Sequence, residues 1–418
     1  MTDYRTTSST ATDDVDLLAN GAVSDPHTYF ADVAERGGVV WSQAHRAWLI
    51  TRYHDVVEAF RDTETLSSDR LTPLYDRLPL DRSEVLAEAF DILRGWMVFH
   101  DAPRHMLLRE PVRRAFTPRM IQGLQPKIEG IVEALLDDLT PLREFDFKEM
   151  FAFPLPAIVI SALLDIPSAD RERFRDWSAG LATIVFGESR NPDQDRLAAQ
   201  GAANFVDYFS WLVAKRKAEP GDDLLSALVL AQSEDPAVGL TNLEVLGAST
   251  LMLFAGHETT TNFLTNAMLS LLRHSDQADA LRTTPDMVGT AVDELLRYDG
   301  PVKVMVRSVA RTHERCGQDL QAGQTVFLAV AAANRDPGVF ADPHLLDLTR
   351  TGTPHISFGQ GPHHCLGSSL ARLESRIALP AVLRRLPHLR ACDEPLVWEK
   401  QILVRAVKSL PVVNPGAS

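Results

Sequence analysis

Residues Phe358-Gly359-Gln360-Gly361-Pro362-His363-His364-Cys365-Leu366-Gly367 set one cysteine in a glycine-punctuated loop, directly ahead of an amphipathic run that carries arginines. Glycine permits sharp turns and close backbone approaches that a Cβ would block. A helix from Leu366 through Leu379 would bring the positive end of its dipole and its unpaired N–H groups beside the sulfur. A free thiol ionises near pH ~8.5, so a thiolate at neutral pH requires positive potential or a metal. The residues admit three readings. Cys365 is a buried structural thiol, a zinc ligand with His355, His363 and His364, or a lone thiolate ligand of another metal centre. Zinc is disfavoured, because no Cys-x-x-Cys or His-x-x-x-His spacing accompanies the cluster.

The pattern Phe358-x-x-Gly361-x-x-x-Cys365-x-Gly367 resembles the haem-binding signature of the cytochrome P450 family. A single thiolate can be the axial ligand of haem iron, where its electron donation favours O–O cleavage. The resemblance implies haem b (iron protoporphyrin IX) as cofactor, Cys365 as its metal ligand, and Phe358, Gly359 and Gly367 among the cofactor-binding residues. Ala255-Gly256-His257-Glu258-Thr259-Thr260 resembles the family's oxygen-activation motif. There Gly256 would let the backbone approach a flat cofactor, and Thr259, four residues after Ala255, shares its helix face. A hydroxyl bonded back to an i−3 or i−4 carbonyl can bend such a helix. The implied catalytic pair is Thr259, hydrogen-bonding dioxygen, and Glu258, relaying protons from solvent.

Haem propionates are anions, and a buried anion left unpaired costs several kcal/mol, so cationic donors are needed. By the same resemblance these are His105 and Arg109, four apart in Asp101-Ala102-Pro103-Arg104-His105-Met106-Leu107-Leu108-Arg109, then Arg307, His363 and His355. Pro111 lies where that early helix would continue, and is expected to remove an N–H and kink it. Glu294-Leu295-Leu296-Arg297 matches the family's Glu-x-x-Arg pair, which with Arg350 would form a buried structural network.

The formal net charge of −14 argues against nucleic acid as a partner, since phosphate binding needs concentrated positive charge. Two basic islands break the acidic background: Arg104, Arg109, Arg113, Arg114 and Arg119, then Arg372, Arg376, Arg384, Arg385 and Arg390. Such islands suit an internal anionic ligand or an acidic partner, although solvated helix faces look the same in sequence. The three cysteines lack a disulfide framework, and no signal peptide or membrane span is read, so a soluble cytoplasmic protein is expected. Residues 1–14 are polar and Ser/Thr-rich, and are expected to be disordered, with 15–418 forming one haem domain.

Strands are expected at Ala47 to Thr51 and Thr325 to Val330, with an amphipathic segment at Asp55 to Phe60. Helices are expected around Ile121 to Leu139, Phe205 to Lys217, Leu243 to Arg273, Met287 to Tyr298 and Leu366 to Leu386, and connections at Leu71 to Arg82, Glu188 to Arg196 and Glu219 to Asp223. The resemblance runs from Ala47 to Val412 and implies a mainly α, triangular haem domain with small β sheets. It implies a monooxygenase: two electrons and two protons reduce dioxygen, one oxygen leaving as water and the other entering a substrate. A ferredoxin and its reductase are the expected electron donors, docking near Arg113, Arg114, Arg372 and Arg376. The substrate pocket would draw on Leu71 to Phe99, Leu181 to Phe186, Ala248, Met252, Val302 to Met305 and Leu403-Val404, mostly apolar and suited to a hydrophobic small molecule; Lys303 could partner a substrate carboxylate but is expected to face solvent. A peroxide-driven peroxygenase and a non-catalytic haem sensor are the alternatives.

Overall fold

The computed structural model describes residues 14–417 apart from 168–169, 188–191, 222, 234 and 236. Of the segment 1–14 expected to be disordered, residues 1–13 lie outside the described residues, as does part of the connection Glu188 to Arg196, while Asp14 accepts the N–H groups of Gln43 and Ala44 at 2.7 Å.

Two apolar runs far apart in the chain, Ala47–Ile50 and Thr325–Leu328, form parallel neighbours with Ala47 opposite Thr325 and Ile50 opposite Leu328. Val39–Ser42 adds antiparallel to the first, and Met305–Val309 antiparallel to the second, with Leu66–Ser67 at the far edge. The second run stops at Leu328 and Val330 opens a short helix, Val330–Ala333, so the expected strand is shorter than its apolar run. In this sheet Arg307 lies opposite Val326, which fixes where that arginine leaves the strand.

Helices make up the rest. The long helix Asn242–Arg273 starts with a capping box: Thr241 Oγ1 accepts the Glu244 N–H at 3.3 Å and Glu244 Oε2 accepts the Thr241 N–H at 2.8 Å. Its first half packs with Trp96, Phe186 and Phe205, and its second half with Phe151, Leu295 and Leu379, in a separate hydrophobic cluster. It is therefore buried almost all round, as a core helix should be. Among the described residues no helix is long and apolar enough to cross a membrane.

Several expected boundaries shift for identifiable reasons. Ile121 to Leu139 divides into Pro118–Gly123 and Gln125–Leu139, because Pro126 lacks an N–H and belongs in a helix's first turn. Leu71 to Arg82 is no open connection. It holds the helix Leu71–Asp76 and the start of Leu80–Arg94, whose apolar face (Leu86, Ala89, Phe90, Leu93) lies beyond the charged residues that disguised it. The helix Arg104–Ala115 passes through Pro111 without ending there.

The helix Val288–Asp299 carries Glu294 and Arg297, both almost fully buried. Arg297 donates to Glu294 through Nε (2.7 Å) and Nη2 (2.9 Å), and to the carbonyls of Asn334, Pro343 and Leu345. Arg350 Nε reaches Glu294 at 3.1 Å, completing the expected trio. Asn334 then accepts the Ile356 N–H and donates to Ser357 Oγ, which itself donates to Leu296 O. The network thus anchors the start of the cysteine loop. Removing one partner strands a buried charge and typically costs about 3–5 kcal/mol. Arg297→Ala is expected to lose that much in urea unfolding of the haem-loaded protein; a loss below about 1 kcal/mol, the size of an exposed pair, contradicts this account.

Candidate active site

The loop Phe358–Gly367 leads straight into the helix Ser368–Arg385, which continues through Pro380. Cys365 N–H donates to Phe358 O at 2.9 Å, closing the loop on itself. Gly359 and Gly361 both take φ +69, where side chains are strained, and a Cβ on Gly361 would stand 2.9 Å from Phe60 O. Those glycines therefore let the loop dock on the helix Tyr53–Arg61, which was not expected from sequence. Gly367 departs from expectation as well: its φ of −79 suits any residue, and a Cβ there would meet Cys365 Sγ at an ordinary 3.9 Å.

Cys365 keeps exposed surface as a residue, yet its sulfur sits among protein atoms, and this burial pushes the thiol above its ordinary range. The atomic surroundings of the sulfur, rather than whole-residue exposure, govern its ionisation. The N–H groups of Gly367 and Ser368 and the charges of Arg109 and Arg372 act in the opposite direction, as the helix-start argument requires. A metal ion beside such a sulfur deprotonates it outright.

Four cationic or ionisable groups converge near this loop from three distant segments. The rings of His105 and His363 lie 3.9 Å apart, centre to centre. His363 Nε2 is 2.9 Å from Ser68 Oγ, while His105 Nε2 is buried without a partner. Arg307 is buried, donating to its neighbour Val306 O at 2.9 Å, and Arg109 donates to His364 O. Burial, helped by the charges of Arg109 and Arg307, pulls His105 down to about 4 and His363 to about 3, and burial alone, partly offset by Asp101, pulls Arg307 to about 10. Among the described residues none of the four forms an ion pair with a carboxylate. His355 differs: its Nε2 faces Asp293 (3.4 Å) and Arg372 (3.3 Å), and its Nδ1 accepts the Ser357 N–H. Ser68, absent from the sequence-derived set, is held by Asp101, which accepts its N–H at 2.8 Å. Nothing in a local motif reveals that partnership.

On the long helix, Thr259 Oγ1 donates to Ala255 O at 3.0 Å, the i−4 back-bond. Glu258 pairs with His257 Nε2 at 3.5 Å. Burial acts to raise the Glu258 carboxyl, but His257, Lys148 and Arg175 outweigh it and hold the group below the usual range. Gly256 also serves packing that the motif did not reveal: a Cβ there would stand 2.7 Å from Ile160 Cγ1, on the helix Pro154–Leu163.

The cytochrome P450 family model matches residues 27–407. The chain belongs to the cytochrome P450 family. It is 38% identical to cytochrome P450 CYP107DY1 of Priestia megaterium over 88% of this chain and 89% of that protein. The structure of the bacillaene polyketide synthase cytochrome P450 PksS of Bacillus subtilis 168 superposes with a TM-score of 0.85 at 34% identity, covering 96% of this chain and 99% of that one. P450BioI in complex with an acyl carrier protein ligated to hexadec-9Z-enoic acid gives 0.84 at 33% identity, over 95% and 98%.

The P450 is accordingly a haem b monooxygenase with the P450 fold, mainly helical with small sheets. The residues present suit that cofactor. Two guanidiniums that form no ion pair with a carboxylate and two imidazoles held neutral by burial match two propionates, and the orphaned His105 Nε2 is open to a hydrogen bond. A cavity of about 270 Å³ is lined by Leu74, Ile184, Val306, Ile402 and Leu403 together with Arg70 and Arg77, so parts of the expected pocket segments meet. A larger groove, about 850 Å³, lies between the helices Gln125–Leu139 and Ser368–Arg385 and includes none of these residues.

Lys303 corrects an expectation. It is 2% exposed, not solvated, and its Nζ donates to Gln401 O at 2.7 Å. Burial, aided by the charge of Arg405, pulls the ammonium down to about 7 from an ordinary 10.5. Between those values the unfolded chain binds the extra proton, so this residue's penalty on stability is complete below about 7 and fades as pH rises toward 10.5. Lys303→Met should therefore flatten the stability–pH curve in that window by an amount on the order of a few kcal/mol, read by urea unfolding at neutral pH and at about pH 10. Curves that stay parallel contradict the buried ammonium.

Proposed function

We propose that this P450 uses electrons from separate redox proteins, a ferredoxin and its reductase, to insert one atom of dioxygen into a largely hydrophobic organic substrate. The observation that carries this reading is the convergence of Cys365 with the uncompensated cradle of His105, Arg109, Arg307 and His363. The bound haem supplies dioxygen reduction and oxygen transfer. Cys365 is its thiolate ligand. His105, Arg109, Arg307 and His363 hold its propionates, while His355, engaged with Asp293 and Arg372, braces the loop behind Phe358. Phe358 lies under the Arg372 guanidinium at 4.5 Å, which ties the loop to the following helix.

Ala255 and Gly256 would line the cofactor's site on the long helix, and the Thr259 hydroxyl, which donates to Ala255 O, would be the group that holds dioxygen and water there. Glu258 brings protons to that point. The apolar lining (Leu74, Ile184, Val306, Leu403) favours a hydrophobic substrate. A free small molecule and an acyl chain on a carrier both suit it, the second supported by the acyl carrier protein complex of P450BioI.

For the redox partner, Arg109 and Arg372 flank the sulfur, and each helix carries further arginines one turn on. Arg113 and Arg114 are exposed but share Glu110, and Arg372 shares Asp293. With Arg376 the surface keeps four arginines against two carboxylates, which suits an acidic electron carrier. Three unpaired cysteines accord with a reducing cytoplasm.

Thr259→Ala tests the dioxygen route. With a substrate chosen by its shift of the haem Soret band, the variant is expected to keep its haem and consume reducing equivalents, while releasing them as peroxide or water with several-fold less product. Retained coupling would contradict proton delivery at Thr259.

A further inference from the structure

His257 precedes Glu258 on the long helix and is buried. Its Nδ1 stands 2.7 Å from Leu253 O. A carbonyl oxygen only accepts, so Nδ1 carries the hydrogen. The other ring nitrogen, Nε2, lies 3.5 Å from Glu258 Oε1 and has no closer hydrogen-bond partner. In a neutral ring with its hydrogen on Nδ1, Nε2 presents a lone pair. A lone pair facing a carboxylate repels it; one proton between the two atoms makes the contact attractive.

The charged groups facing the pair settle where that proton rests. Lys148 and Arg175 direct positive fields at Glu258. Lys148 donates to Val407 O at 2.6 Å, and Arg175 donates to Glu149 and lies 3.9 Å over the Phe153 ring. Phe153 in turn meets the His257 ring edge-on at 5.7 Å. Glu149 and Arg175 largely offset each other, which leaves Lys148, bonded to a neutral carbonyl, as the net positive charge favouring the Glu258 carboxylate.

We propose that His257 and Glu258 hold one proton as an imidazolium–carboxylate pair, and that His257 is the positioning residue that orients Glu258 and reloads it for proton delivery at Thr259. The proposal rests on the role given to Glu258 above. Each of the two protons that a turnover consumes takes the same path: Nε2 gives it to Glu258, Glu258 passes it toward Thr259, and a proton from solvent restores the imidazolium before the next. No electron is involved.

Nitrogen-15 spectra of histidine-labelled, haem-loaded protein in its reduced carbon monoxide form read the ring directly, with His257→Asn assigning the signal. The proposal expects a doubly protonated His257 ring at neutral pH, converted to a neutral Nδ1–H ring in Glu258→Gln. His257→Asn keeps a donor for Leu253 O but lacks a second ring nitrogen, and should lower product per electron pair several-fold, with coupling failing at lower pH than in the parent. A neutral ring in the parent protein, or unchanged coupling and pH profile in His257→Asn, overturns the pair. Unchanged coupling in Glu258→Gln instead overturns the proton-delivery role of Glu258 itself.

Discussion

The charge proposed for Cys365, a thiolate in a buried loop, is the constraint on which the account of the structure depends. Burial opposes its charge, while two N–H groups at the start of the helix Ser368–Arg385 and the guanidiniums of Arg109 and Arg372 favour it. These donors reduce the cost of ionisation without removing it, so the anionic sulfur needs a metal cation in contact. A loop serving this purpose must be rigid. The closure of Cys365 on Phe358, the docking of the glycines on the helix Tyr53–Arg61 and the buried Glu294–Arg297–Arg350 trio supply that rigidity.

The same logic extends to the propionate cradle. Arg109 and Arg307 oppose protonation of His105 and His363 in a poorly solvated site, and no carboxylate among the described residues forms an ion pair with any of the four. The folded protein holds this unfavourable arrangement through interactions elsewhere, and a dianionic cofactor converts it into attraction. Stability of the haem domain and affinity for haem are therefore linked: what the cradle loses in the absence of an anion it returns on binding.

Much of this was legible in the sequence where a local pattern decides the structure. The capping box Thr241–Glu244, the strand Ala47–Ile50 and the cysteine loop are set by residues within one turn or one hairpin's reach. The helix Leu80–Arg94 was missed because its leading charges hide an apolar face that only tertiary packing against the long helix reveals. Lys303 was misjudged because burial of a lysine depends on Gln401, nearly a hundred residues away. Gly256 and Gly361 were singled out from local motifs, but the protein neighbours that each accommodates, Ile160 and Phe60, come from other parts of the chain. Ser68 and His257 show the same limit, since a partner's identity emerges only when distant segments, or two rotamers on one helix, meet.

Absorption of the haem-loaded protein, reduced and exposed to carbon monoxide, tests the central claim most directly. Ligation by the Cys365 thiolate predicts the strongly red-shifted Soret band of a thiolate-bound ferrous carbonyl haem, lost in Cys365→Ala. A folded, haem-loaded protein whose band matches histidine or neutral-thiol ligation would contradict the account.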